Sequence, residues 1–144
     1  MVENKKTANQ KIKILIVDDD HVCLEAIKQL LLSSYQCKVD AIDSAEKALN
    51  RINEMELQWQ PKWYDLIFMD INMPILKGDL LTKIIKETQS NMENTPVIAI
   101  TGQETAINEK LFFDRGIVEI IIKPVTVEKL NTVMRKYLRI NTER

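Results

Sequence analysis

Lys13-Ile14-Leu15-Ile16-Val17-Asp18-Asp19-Asp20 changes character in a single step: an apolar, largely β-branched run ends on three consecutive aspartates. A strand without polar alternation is one buried on both faces, as in a parallel sheet covered by helices on each side. Outward from it the same grammar repeats. Runs rich in Ile and Val stand at Lys38–Ile42, Leu66–Met69, Val97–Ile100 and Val118–Ile122, the first of them mixed. Between the runs lie stretches with apolar residues three and four apart. Cys23, Ile27, Leu30 and Leu31 mark one, and Ala45, Ala48, Leu49 and Ile52 the next. Leu81, Ile84 and Ile85 mark a shorter third. Ala106, Ile107, Leu111 and Phe112 suggest a fourth, and Val127, Leu130, Met134, Tyr137 and Leu138 the last. Each gives a helix one apolar stripe to lay on a sheet. Asp20, Ser44 and Thr126 stand where N-caps are expected. Five βα units predict a three-layer α/β domain with a parallel sheet and right-handed crossovers.

The 144 residues suffice for one domain with a core, expected over 12–140, with a disordered tail at 1–11 and a short tail at 141–144. A net charge of −1 and the absence of a basic run argue against nucleic acid. No apolar run has the length of a bilayer span, and the run before Asp18 is too short for a signal-peptide core, so the expectation is a cytoplasmic protein that does not insert into membranes. Cys23 and Cys37 lack metal-ligand spacing and read as packed thiols.

Sheets of this type bind ligands beyond the carboxyl ends of their strands. Asp18, Asp19 and Asp20 follow the first strand, Asp70 the third, Thr101 the fourth and Lys123 the fifth. One sheet edge thus collects carboxylates, a hydroxyl and an ammonium. Crowded aspartates repel, and at least one should rise in pKa unless a cation relieves it. Oxygen ligands of this kind suit Mg²⁺, with Mn²⁺ as the alternative. A carboxylate is a usable nucleophile towards phosphorus. Phosphoryl transfer needs mainly positioning and charge neutralisation, which a metal, a lysine and a hydroxyl supply. An aspartate ionised at neutral pH needs no general base, so the lone histidine, His21, is read as a partly exposed helix residue.

Over about Lys11 to Leu138 the chain resembles the receiver domain of bacterial response regulators. Four blocks carry the resemblance: Ile14-Leu15-Ile16-Val17-Asp18-Asp19-Asp20; Met69-Asp70-Ile71-Asn72-Met73-Pro74 with Gly78; Val97-Ile98-Ala99-Ile100-Thr101-Gly102; and Lys123-Pro124. The resemblance implies a doubly wound, flavodoxin-like (βα)5 fold with strand order 2-1-3-4-5. It implies Asp70 as phosphoacceptor, served by a histidine kinase or a histidine phosphotransfer protein. Mg²⁺ would be held by Asp19, Asp70 and the main-chain carbonyl of Asn72, with Asp18 acting through water. Lys123 would pair with the phosphoryl oxygens, Thr101 would swing to hydrogen-bond them, and a cis bond would precede Pro124. Output would be protein contact through the face of helix four, strand five and helix five. The chain would not be an enzyme beyond taking phosphate from donors and losing it again.

Some positions depart from the family pattern. Ile120 stands where an aromatic residue is usual, which puts an aromatic rotamer switch in doubt. Lys77 replaces the usual Asp before Gly78, and Gly102 and Gln103 follow Thr101. Trp59 and Trp63 lie in a lengthened link before the third strand and read either as loop packing or as a partner contact. Three rivals compete. A haloacid-dehalogenase-type phosphohydrolase would use Asp18-x-Asp20 and leave Asp70 unexplained. A phosphorylation-independent module on the same scaffold would lack an acidic, Thr or Lys element. A flavodoxin-like cofactor binder would not place three aspartates after the first strand. A stand-alone regulator and a receiver cut from a hybrid kinase both fit the sequence.

Overall fold

The computed structural model describes residues 12–56, 64–89, 92–102 and 108–140. The expected tails at 1–11 and 141–144, Trp59, Trp63, Gln103, and Ala106 and Ile107 of the expected fourth helix lie outside the described residues. The elements alternate along the chain: β1 (Ile12–Val17), α1 (His21–Ser34), β2 (Cys37–Ile42), α2 (Ala45–Glu56), β3 (Leu66–Asp70), α3 (Gly78–Thr88), β4 (Val97–Thr101), α4 (Glu109–Asp114), β5 (Ile117–Ile122) and α5 (Val127–Leu138). The strands form one sheet in the order β2-β1-β3-β4-β5, every pair parallel. The third helix, expected to be short, runs 11 residues, because Gly78 and Asp79 open it without an apolar signal. No described helix is long and apolar enough to cross a membrane.

Pleating explains the all-apolar strands. Leu15, Val17, Ile67, Met69, Val97 and Ala99 point to one side, where Ala48 and Ile52 of α2, Leu81 and Ile85 of α3 and Phe112 of α4 meet them. Ile14, Ile16, Leu66, Phe68, Ile98 and Ile100 point to the other, against Leu24, Ile27 and Leu31 of α1 and Leu130, Val133 and Met134 of α5. Successive side chains on a strand face opposite ways, so three layers demand apolar residues throughout. β2, at one rim, needs them on fewer positions and is mixed.

The caps fall where the sequence puts them. Asp20 accepts from the N–H groups of Val22 and Cys23, Ser44 Oγ from Lys47, and Thr126 Oγ1 from Lys129. At the amino-terminal edge of the sheet most buried polar groups find partners, Gln89 Oε1 excepted. Lys86 Nζ donates to the carbonyls of Met92 and Glu93, at 2.9 and 3.0 Å, and of Thr95. Thr95 Oγ1 donates to Tyr64 O at 3.0 Å, and Asp65 Oδ2 accepts the N–H of Lys13 at 2.8 Å. On the outer rim of β5 the Tyr137 hydroxyl donates to Val118 O at 3.0 Å, and Lys136 lies 3.3 Å from Glu119.

Candidate functional site

β1, β3, β4 and β5 end nearly level, with Val17 beside Met69, Asp70 beside Ile100 and Thr101 beside Ile122. That alignment delivers Asp18, Asp70, Thr101 and Lys123 to a single rim. The aspartate triplet divides its work. Asp18 is fully buried, and its Oδ1 accepts the N–H of Asp20 at 2.9 Å. Asp20 caps α1, and Asp19 remains exposed. Carboxylate oxygens of Asp18, Asp19 and Asp70 all lie within 4.8 Å of one another.

Lys123 Nζ stands 3.4 Å from Asp18 Oδ2 and 3.7 Å from Asp70 Oδ1. These are ion contacts without hydrogen-bond geometry: among the described residues Asp18 Oδ2 accepts no hydrogen bond. Burial works against the Lys123 ammonium, but Asp18 and Asp70 outweigh it and hold its pKa above the ordinary value. Burial first, then repulsion from Asp18, push Asp70 up to about 7, and Lys123 offsets this only in part. The two expectations for the aspartates are thereby separated. With the chain's own groups alone, Asp70 is not fully ionised at neutral pH, and a bound cation is what would make it so. Three clustered carboxylates, one of them open to solvent, are a donor set that fits a hard divalent cation.

The remaining expected residues take these places. Thr101 is fully buried, and among the described residues its Oγ1 has no hydrogen-bond partner. Its carbonyl accepts the N–H of Lys123 at 2.8 Å, tying the ends of β4 and β5 together. Asn72 donates its N–H to Asp70 Oδ1 at 3.3 Å. Gly78 is required by contact: a Cβ there would sit 2.0 Å from the carbonyl oxygen of Asp70, so only glycine lets α3 start this close to β3. The bond between Lys123 and Pro124 is cis, as expected. Ile120 is half-buried against the α2–α4 side of the core and offers no ring to rotate. His21 is largely exposed, with Nε2 3.1 Å from Asp43 Oδ2.

Several neighbours of the site have contacts that the sequence does not signal. Cys23 lines a groove with Asp20, Gly102, Lys123 and Pro124. Burial, and then its contact with Asp18, push its thiol up to about 12, so it is a poor nucleophile. Ile75, fully exposed, has φ 71° and sits between Pro74 and Leu76, whose O and N–H bond at 2.7 Å. This is the strained γ-turn of positive φ, centred on a β-branched residue. Asp79, nearly buried, pairs with Arg115 at the end of α4. Lys77 is the N-cap of α3 without a side-chain cap bond.

Comparison with known proteins agrees with this geometry. A family model described as the response regulator receiver domain matches residues 14–135. The chain is 28% identical over 137 residues to transcription factor SKN7 of Candida albicans, covering 95% of this chain and 22% of that protein. It is 30% identical over 127 residues to hybrid signal transduction histidine kinase L of Dictyostelium discoideum, covering 87% and 7%. It therefore spans less than a quarter of the length of either relative. Among solved structures, a response regulator receiver domain protein from Methanospirillum hungatei superposes with a TM-score of 0.76 at 25% identity, covering 90% of this chain and 95% of that one. The receiver domain of sensor histidine kinase PA1611 from Pseudomonas aeruginosa, described with magnesium coordinated in its active site cleft, gives 0.74 at 23% identity, covering 91% and 100%. At that identity the second likeness speaks for the fold.

Proposed function

The chain belongs to the response regulator receiver domain family, a signalling phosphoacceptor of two-component phosphorelays, and from that premise we propose that Asp70 is the acceptor. The observation that carries this reading is the cluster of Asp18, Asp19 and Asp70 within 4.8 Å, beside Lys123. An oxygen of the Asp70 carboxylate attacks phosphorus, the phosphorus–nitrogen bond of a phosphohistidine breaks, and the departing imidazole takes a proton from solvent. Asp19, Asp70 and the Asn72 carbonyl, with Asp18 assisting through water, would hold Mg²⁺ or Mn²⁺. Bound there, the metal supplies charge neutralisation for the phosphoryl oxygens. Lys123 places its ammonium beside the acceptor oxygen and pairs with the phosphoryl group. Thr101, its hydroxyl without a partner among the described residues, turns to donate to the same group. That bond is a contact available to only one of two states, and so biases their equilibrium.

The donor is a sensor histidine kinase or a histidine phosphotransfer protein. The output is a protein partner on the face of α4, β5 and α5, where Leu111, Phe113, Val118 and Val127 are exposed. We place the working unit at residues 12–140, in the cytoplasm. Its own chemistry is limited to phosphorylation by phosphodonors and loss of that phosphate. Against the Asp18-based hydrolase, Asp20 Oδ1 already accepts the N–H groups of Val22 and Cys23.

The test is incubation with acetyl phosphate and Mg²⁺, followed by intact mass and peptide mapping. A single Mg²⁺-dependent adduct that disappears in Asp70→Asn and persists in Lys86→Met is expected. Phosphate release that depends on Asp18 and not on Asp70 would revive the hydrolase. No adduct in the wild type, with Mg²⁺ bound normally, would favour a phosphorylation-independent module.

A further inference from the structure

Lys123 can serve Asp70 only if the turn between β5 and α5 is held. One tie is its own N–H, donated to Thr101 O at 2.8 Å. A second reaches back from α5. Lys129 Nζ donates to the carbonyl of Ile122 at 2.7 Å and to that of Pro124 at 3.0 Å, the residues on either side of Lys123. The backbone N–H of Lys129 is itself engaged by Thr126 Oγ1 at 3.3 Å, so the residue is anchored at both ends. Helix stability alone would not select this arrangement. A cation in the first turn of a helix opposes the macrodipole. Folding the stem down also gives up rotamer freedom that a surface lysine keeps. The expected return is a fixed turn.

We propose that Lys129 is a positioning residue for phosphoryl transfer, holding the two carbonyls that bracket Lys123 so that the Lys123 ammonium stays over Asp18 and Asp70. The inference rests on Asp70 being the acceptor. Lys129 does not touch the reacting atoms. It acts through a side chain that stands 3.4 and 3.7 Å from its carboxylates, and at ion-contact range a small displacement of the turn removes the charge from the developing phosphoryl oxygens. The carboxylates that would bind the metal follow β1 or end β3 and lie outside this turn.

A matched control exists in the same molecule. Lys86 of α3 holds three carbonyls of the loop before β4 by the same chemistry, at the opposite edge of the sheet. The experiment measures phosphorylation by acetyl phosphate, Mg²⁺ affinity by calorimetry and urea stability for wild type, Lys129→Met, Lys129→Arg and Lys86→Met. Lys129→Gln stands in if Lys129→Met does not fold. Lys129→Met should phosphorylate about tenfold more slowly, with Mg²⁺ affinity within about twofold of wild type. Lys129→Arg should restore most of the rate, and Lys86→Met should lose stability without losing rate. A wild-type rate in Lys129→Met, or an equal loss in Lys86→Met at comparable stability, would overturn the assignment. An Asp70 adduct missing from the wild type would overturn the acceptor reading as well.

Discussion

Thr95 and Thr101 bracket β4, and both are buried, at 3% and 0% exposure. Thr95 donates its hydroxyl to Tyr64 O at 3.0 Å, whereas Thr101 Oγ1 has no partner among the described residues. The contrast recurs in one pair of aspartates and one pair of lysines. Asp65 accepts a main-chain N–H at 2.8 Å, while among the described residues Asp18 Oδ2 accepts no hydrogen bond. Lys86 commits its donors to loop carbonyls, while Lys123 stands between two carboxylates. The site edge keeps two buried oxygens, Asp18 Oδ2 and Thr101 Oγ1, open at a cost in stability, and at the opposite edge only Gln89 Oε1 shares that state among the described residues. Unsatisfied buried groups are destabilising, and a natural protein retains them where something outside the chain completes them.

The sharpest test sets Asp65→Asn against Asp70→Asn. Asp65→Asn weakens a buried charge-assisted bond and should lower stability by about 2–3 kcal/mol. Asp70→Asn should do the opposite at pH 8 without divalent cations, raising stability by about 2 kcal/mol. The sign follows from the direction of the shift. A carboxyl pushed up to about 7 favours the protonated form when folded, so its contribution is lost as pH rises from the ordinary carboxylate range through 7. The advantage of Asn should therefore vanish near pH 4, and urea melts at both pH values would show it. Identical melts at pH 8 would break the contrast between the edges.

Gly78→Ala should cost about 2 kcal/mol and also slow phosphorylation, because its methyl group meets the main chain of Asp70, the proposed acceptor. Stability lost with the rate intact would detach that contact from the site. The threonines come next. Thr95→Val should lose about 1 kcal/mol, and Thr101→Val should lose nothing measurable in the unphosphorylated protein. Equal losses in thermal melts would mean that the two edges do not differ. The smallest effect is Ile75→Asn, which should gain about 0.5–1 kcal/mol by relieving a positive φ on a β-branched residue. A loss would show that the Ile75 side chain contributes despite its exposure.

Most of the fold was legible because the central strands bear apolar side chains on both faces, a pattern that exposed segments do not sustain. Each strand begins or ends within one residue of its expected position. The core of the site was legible for a different reason. Asp18, Asp19, Asp70, Thr101 and Lys123 each end or follow a strand, and parallel strands bring their ends to one rim. What escaped reading has no side-chain signature. Lys86 and Lys129 bond to main-chain carbonyls, which any residue supplies. Asp79 and Arg115 stand far apart in sequence, and neither residue type predicts a partner. Ile75 contradicts the usual rule that glycine or asparagine marks a positive φ. The third helix read short because the close approach to Asp70 O demands glycine in its first turn.

The rim of β5 has a consequence for crowded solutions. An isoleucine-rich strand at the margin of a sheet is a template on which a second chain can zip, the first step towards a fibril. Here the carbonyl of Val118 is already taken by Tyr137, and Glu119 is tethered by Lys136, both from α5. Among the described residues α5 thus occupies one carbonyl of this margin and tethers one side chain, and both contacts last only while α5 stays docked. Partners that grip this face can lean on α5. Any that peeled it away would uncover an adhesive edge, and a reversible encounter between molecules would turn into irreversible clumping.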